Sequence, residues 1–122
     1  AVDPAVPVHV FAKMLERLGT RAGEVLGQHP AVYACGPMGM LQAVAEVSAE
    51  FGATAQCAVE ESMACGVGVC MTCVLPVIGE DGVTRMVRSC TEGPVFAGDR
   101  VRWADVGTVP ADTWGAPAGG QA

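Results

Sequence analysis

Cys65, Cys70, Cys73 and Cys90 are separated by four, two and sixteen residues. A close group of three cysteines with a distant fourth is the spacing of [2Fe–2S] centres held by thiolates, and the chemistry of such a centre is one-electron transfer. A rhombic two-iron cluster takes two thiolates per iron, so the chain must curl to present three sulfurs from one short loop. Gly66 and Gly68 supply residues that reach positive φ and let backbone amides approach the sulfurs. Those N–H groups favour negative charge, above all the added electron of the reduced state. Cys90 has to arrive from elsewhere, and a hairpin between Cys73 and Cys90 would bring it back. The four sulfurs should then converge.

Other uses of these cysteines fit less well. Structural zinc is commonly held by two knuckles that give two ligands each, whereas here three ligands crowd one loop. Histidine-ligated clusters need paired Cys-x-His motifs, which are absent. Six cysteines in an oxidising compartment would point to disulfides, but the first residues, Ala1-Val2-Asp3-Pro4, do not read as a secretion signal, which favours a reducing, cytoplasmic setting. Cys57 falls on the inward face of an alternating stretch and reads as a small core residue. Cys35 ends a short apolar run before Gly36-Pro37, a place where α/β sheets hold ligands, although core packing also explains it. His9 and His29 are isolated and make no metal site. Met63, Met71 and Met86 are expected to pack an apolar shell around the centre.

The elements that must position these residues follow from periodicity. Residues 10–18 put Val10, Phe11, Met14, Leu15 and Leu18 on one helical face. The stretch 6–10 reads alternatively as a strand, and a second short helix follows Thr20. Residues 31–35 form a buried strand, and Gly36-Pro37 turns into a helix over 37–51, with Pro37 at its first position and Gly52 at its end. That helix buries either Met40, Val44, Val47 and Phe51, or the neighbouring stripe of Met38, Leu41 and Ala45. From Ala53 to Val59 apolar residues alternate. Residues 74–78 and 83–87 flank Gly79-Glu80-Asp81-Gly82 as a hairpin, with Pro76 at an edge or bulge. The expected fold class is α+β: a partial α/β unit over 1–52, a small β-rich cluster domain over 53–106, and a tail over 107–122 that is disordered from about Trp114.

Composition narrows the partners. In 122 residues, 51% are hydrophobic and only 5% aromatic, so the core is built from Val, Ala, Leu and Met. The formal charge of −6 argues against nucleic acid and anionic membrane, both of which need a basic footprint. No apolar run is long enough to span a bilayer. Arg85, Arg88, Arg100 and Arg102 are locally basic, either as a solvated face or as a docking patch.

Two stretches go beyond spacing. The segment Val32-Tyr33-Ala34-Cys35-Gly36-Pro37-Met38-Gly39-Met40-Leu41 resembles the Cys-Gly-Pro segment of the ferredoxin-reductase superfamily. The cysteine loop from Glu60 to Cys73, followed by Cys90-Thr91-Glu92-Gly93-Pro94-Val95-Phe96, resembles the electron-transfer subunit of NAD-dependent class 1B dihydroorotate dehydrogenase. The resemblance covers about residues 31–106. It implies cluster ligands at Cys65, Cys70, Cys73 and Cys90, a nicotinamide-side loop at Cys35, Gly36 and Pro37, and Glu61 at the junction of the nucleotide and cluster domains. It also implies FAD and NAD in a longer parent protein. The implied partner is an FMN-containing catalytic subunit that oxidises dihydroorotate in pyrimidine biosynthesis.

The family's flavin-binding barrel and glycine-rich nucleotide loop have no counterpart here, so the chain reads as the C-terminal part of such a subunit. FAD and NAD binding are not expected of this chain alone. A sheet lacking its other strands should leave an open edge and an apolar patch, so self-association or a partner is expected. Two other functions share features with this one: a free-standing ferredoxin-like carrier, and a zinc-stabilised interaction module.

Overall fold

A computed structural model describes residues 31–116. The helices expected over 10–18 and after Thr20, the alternative strand at 6–10, His9, His29 and residues 117–122 lie outside the described residues. The elements run β1 (Ala31–Cys35), α1 (Met38–Glu50), β2 (Thr54–Ala58), β3 (Val74–Ile78), β4 (Thr84–Arg88), α2 (Ser89–Glu92) and β5 (Val95–Ala97), then a single 3-10 turn at Trp103–Asp105. The architecture is mixed α and β, as expected.

The first unit is β1, α1 and β2, with β2 parallel to β1 from Ala31↔Thr54 to Cys35↔Ala58. Pro37 sits one place earlier than expected. It is the N-cap, and its carbonyl accepts the amides of Met40 at 2.9 Å and Leu41 at 3.1 Å. Its missing N–H would have gone unpaired there in any case. The helix closes where Gly52 turns at φ +66°, with Gly52 N–H bonded to Ala49 O and Ala53 N–H to Ser48 O at 2.8 Å. This is a Schellman end, which satisfies carbonyls the helix would otherwise leave open. Of the two candidate stripes, the helix buries Leu41 and Ala45 of the second together with Val44 and Ser48, while Phe51 is exposed. Phe51 has left the helix as its C-cap and no longer points along that face.

The sequence division at residue 52 falls inside a sheet. The strand β2 was assigned to the cluster domain, yet it pairs in parallel with β1 and antiparallel with β5, in the order β1-β2-β5. Its alternation places Ala55 and Cys57 in the core, which also holds Leu41, Val59, Leu75, Phe96 and Val101. Leu41 and Leu75 are fully buried, and each contributes roughly 1.5–3 kcal/mol through removal from water.

The hairpin forms as expected, β3 against β4 in the register Val74↔Arg88 to Ile78↔Thr84. Gly79 and Val83 close its turn, with Gly79 N–H bonded to Val83 O at 2.9 Å. The free edge of β3 is covered by residues 100–102: Arg102 N–H donates to Pro76 O and Ile78 N–H to Arg100 O. Pro76, which has no N–H to give, therefore takes part through its carbonyl.

The chain beyond residue 106 returns to this hairpin. Arg102 pairs with Asp105 at 2.8 Å and Asp112 at 2.6 Å and donates to Thr84 Oγ1. Trp114 N–H donates to Thr84 O at 2.8 Å, and Thr113 is buried. Disorder was expected from Trp114, but residues 114–116 are held against β4. The arginine that anchors this segment lies ten residues upstream of Asp112, and local composition does not register such a pairing.

Candidate metal centre

Between β2 and β3 the chain has no regular structure. It leaves the sheet at Val59, which is buried and donates its N–H to Pro94 O at 2.9 Å. The following loop wraps around Cys65. Cys65 Sγ accepts three backbone amides, from Val67 at 3.4 Å, Val69 at 3.3 Å and Cys70 at 3.4 Å. These donors, that of Cys70 foremost, pull the Cys65 thiol below its ordinary range. Cys70 Sγ lies 3.0 Å from Thr72 Oγ1, and the Thr72 hydroxyl is the main reason the Cys70 thiol is lowered to about 6.

The second half of the site comes from the hairpin. Ser89 N–H donates to Cys73 O at 3.0 Å, which sets Cys73 beside α2 and brings Cys90 next to it. The amide of Cys90 lowers the Cys73 thiol, while contact with Cys73 raises that of Cys90. Cys73 is buried, and Cys65 and Cys90 are half-buried. The sulfurs thus meet as two pairs, Cys65 with Cys70 and Cys73 with Cys90, rather than at one point. Cys65 and Cys90 are near enough to feel each other's charge. Among the described residues no three Cys, His, Asp or Glu side chains gather where a single ion could be held. Four thiols in two pairs, with amides directed at the sulfurs, match what a two-iron cluster requires of its donors.

Gly68 is the tightest point of the loop. It turns at φ +82°, and a Cβ there would stand 2.9 Å from Thr91 Cγ2. Its carbonyl accepts Arg88 Nη1 at 2.9 Å, so an arginine at the end of β4 ties the loop to the helix that carries Cys90. Gly66 also has positive φ, at +67°, but faces open space. Met71 adopts φ 60° between two of the cysteines, a conformation uncommon for a residue with a Cβ.

Several expectations are revised at this site. Met63 and Met71 do not close an apolar shell: each is half exposed, and with Val67 and Val69 they form an outward rim. Among the four arginines, Arg85 pairs with Asp81, and Arg88 with Gly68 O and Glu92. Arg100 donates to Gly79 O, and Arg102 pairs with Asp105 and Asp112. They brace the fold, and three of the four, all but Arg100, meet carboxylates within the chain, which weakens the argument for a basic docking patch. The roles of Thr72 and Arg88 were not foreseen. Their hydroxyl and guanidinium act across the loop and the hairpin, and no motif marks them.

Cys35, Gly36 and Pro37 lie at the C-terminal end of β1. Cys35 is exposed, and its thiol donates to Glu60 Oε1 at 3.5 Å, which holds the proton on sulfur and pushes the thiol above its ordinary value. Glu61 follows β2 and lines a cleft with Thr72, Val74 and Met86. Cys57 is fully buried, its thiol raised by desolvation, as befits a core residue.

Comparison with known proteins bears on the same segment. Residues 60–102 match the family model for the iron-sulfur cluster binding domain of dihydroorotate dehydrogenase B. The chain is 40% identical over 78 residues to the electron transfer subunit of dihydroorotate dehydrogenase B (NAD(+)) from Caldanaerobacter subterraneus subsp. tengcongensis, a match covering 64% of this chain and 31% of that protein. It is 38% identical over 86 residues to the probable electron transfer subunit from Methanopyrus kandleri, covering 70% of this chain and 30% of the relative. The chain therefore spans about a third of the length of these relatives. A chain of the NADH-dependent reduced ferredoxin-NADP oxidoreductase shares the fold over 75% of this chain and 30% of its own length, with TM-score 0.57 and 24% identity. In sequence, this chain is similar over part of its length to the electron transfer subunits of dihydroorotate dehydrogenase B, and the matched residues 60–102 contain all four paired cysteines.

Proposed function

We propose that Cys65 and Cys70 hold one iron of a [2Fe–2S] cluster and Cys73 and Cys90 the other, and that the chain is the cluster-bearing part of an electron transfer subunit. The observation that carries this reading is the pairing of four thiols, three from a loop whose amides point at sulfur and one from α2. Bound there, the cluster supplies one-electron exchange. The residues of the chain bind it as thiolates, offset its negative charge with N–H dipoles, and fix the loop through Gly68 and Arg88. The rim of Met63, Val67, Val69 and Met71 leaves the loop open to a redox partner.

By its relatives, the partner is the catalytic subunit of a dihydroorotate dehydrogenase, an FMN protein of pyrimidine biosynthesis. The sheet unit would then be the end of a pyridine-nucleotide domain, with Cys35, Gly36 and Pro37 on the nicotinamide side and Glu61 at the junction. FAD and NAD would belong to the longer protein. Electron transfer of this kind suits a cytoplasmic protein, and among the described residues no helix is long and apolar enough to cross a membrane. Light scattering at rising concentration should show self-association of the isolated chain; a clean monomer throughout would count against it.

The test is anaerobic reconstitution with iron and sulfide, followed by visible spectroscopy and low-temperature EPR after dithionite. A red-brown protein with a rhombic signal, lost in Cys70→Ala, supports the cluster. A colourless protein that instead retains stoichiometric zinc overturns it.

A further inference from the structure

We infer that two hydroxyls, Thr72 Oγ1 and Ser89 Oγ, are hydrogen-bond donors to ligand sulfurs, one for each pair of cysteines, and raise the reduction potential of the site. The inference rests on the cluster reading above and assigns these side chains a role within it.

Thr72 Oγ1 accepts the amide of Ala64 at 3.3 Å and lies 3.0 Å from Cys70 Sγ. A hydroxyl has one hydrogen to give. With its oxygen already accepting an amide, that hydrogen is free for the sulfur.

Ser89 makes the stronger case. It is 0% exposed, and both its backbone groups are committed: its N–H to Cys73 O at 3.0 Å, its carbonyl to Gly93 N–H at 3.1 Å. Its side-chain oxygen nonetheless has no hydrogen-bond partner among the described residues. A buried hydroxyl without a partner is costly and calls for an explanation. Two other buried hydroxyls share this condition, Ser48 in α1 and Thr113 near the C-terminal end, but neither adjoins a cysteine of the site. Ser89 stands next to Cys90 in the chain, and its backbone bond to Cys73 O sets it beside Cys73. A neutral thiol is a weak acceptor, whereas an ionised sulfur is a strong one. The unpartnered hydroxyl therefore finds its acceptor when Cys73 serves as a thiolate ligand.

The consequence concerns charge. Adding one electron adds one negative charge to the site, spread partly onto the four sulfurs. An O–H dipole aimed at a sulfur favours that state, as the amides do. The hydroxyl keeps its proton, so one electron enters from the external reductant and no proton moves. Removing either donor should make the site harder to reduce.

The test is an anaerobic potentiometric titration of the reconstituted chain, with dithionite and mediators, for the wild type, Ser89→Ala, Thr72→Val and Thr72→Ser. At a fixed poise near the wild-type midpoint, Ser89→Ala and Thr72→Val should each lower the ratio of reduced to oxidised protein several-fold, where tenfold would equal about 59 mV for one electron. Thr72→Ser, which keeps the hydroxyl, should titrate as the wild type. Thr72 is exposed, so its two variants test the donor without disturbing the core even where Ser89→Ala takes up less cluster. Resonance Raman bands of the iron–sulfur stretches should shift in D2O, and less so in Ser89→Ala. Unchanged midpoints in variants with full cluster content would overturn the inference and leave the cluster reading intact. A wild-type chain that takes up no cluster would overturn both.

Discussion

The strand that carries Cys57 and the loop that carries Cys70 treat the same side chain in opposite ways. In β2 the backbone bonds with β1 on one side and β5 on the other, so its amides are spent on carbonyls. Cys57 is left with burial alone, and its thiol is pushed up. In the loop no ladder claims the amides, and three of them reach Cys65 while Thr72 serves Cys70, whose thiol falls to about 6. The absence of regular structure is therefore a condition of the site: donors withheld from a sheet or helix are the ones available to hold charge on sulfur.

The contrast breaks most completely if a sulfur is removed from the loop. Cys65→Ala or Cys70→Ala should abolish the visible and EPR signals of the reconstituted chain, whereas Cys57→Ala should keep them and lower thermal stability instead. The metal-free chain offers a sharper reading of the same difference. Thiolates are the reactive form, so alkylation of Cys70 by iodoacetamide should proceed at neutral pH and slow as pH falls through about 6, while Cys57 stays unmodified until the fold opens. Mass spectrometry of each peptide against pH would settle it. Equal rates at the two positions would dissolve the comparison.

Smaller effects separate the two loop glycines. Gly68→Ala combines a left-handed backbone, a penalty of about 1–2 kcal/mol, with the contact against Thr91. It should shorten cluster lifetime in air severalfold. Gly66→Ala meets no neighbour and should do less; the reverse ranking would show that Gly68 is not held against Thr91 and Arg88 as the structure has it. The smallest effect belongs to the hairpin turn, remote from the sulfurs. Arg85 holds the Asp81 carboxyl well below the usual carboxylate range. The ionised pair therefore favours the fold above the ordinary carboxylate pKa, and that contribution is lost as pH falls toward the depressed value. Asp81→Asn should flatten this acid dependence slightly in a urea titration, with the cluster signals untouched, and the difference should shrink in high salt because both groups are exposed.

What the sequence disclosed follows from how local each cause is. The spacing of Cys65, Cys70 and Cys73, the glycines between them, and the Gly79–Gly82 turn act within a few residues, and they are legible in order along the chain. The pairing of β2 with β1 is not, because a short alternating strand carries no mark of which neighbour it joins. The helix face resisted for a related reason: two stripes were nearly equal in apolar content, and the choice was made by β2 and β5 packing against Leu41 and Ala45. Thr72, Ser89 and Arg88 are ordinary polar residues whose work depends on what the fold brings opposite them. Residues 114–116 resembled a tail because Arg102, which secures the segment, stands well upstream.

One rung of the sheet has a consequence for how such proteins are assembled. Ala58 at the end of β2 is the partner of Val95 at the start of β5. Everything between them, the sulfur loop, the hairpin and α2, departs and returns at adjacent points of the same sheet. A segment with neighbouring ends is a cassette. It is a cassette by connection and not by packing: Leu75 lies in the core shared with the sheet, and residues 100–102 and 114 bond to its hairpin, so an exchange would have to replace those contacts as well.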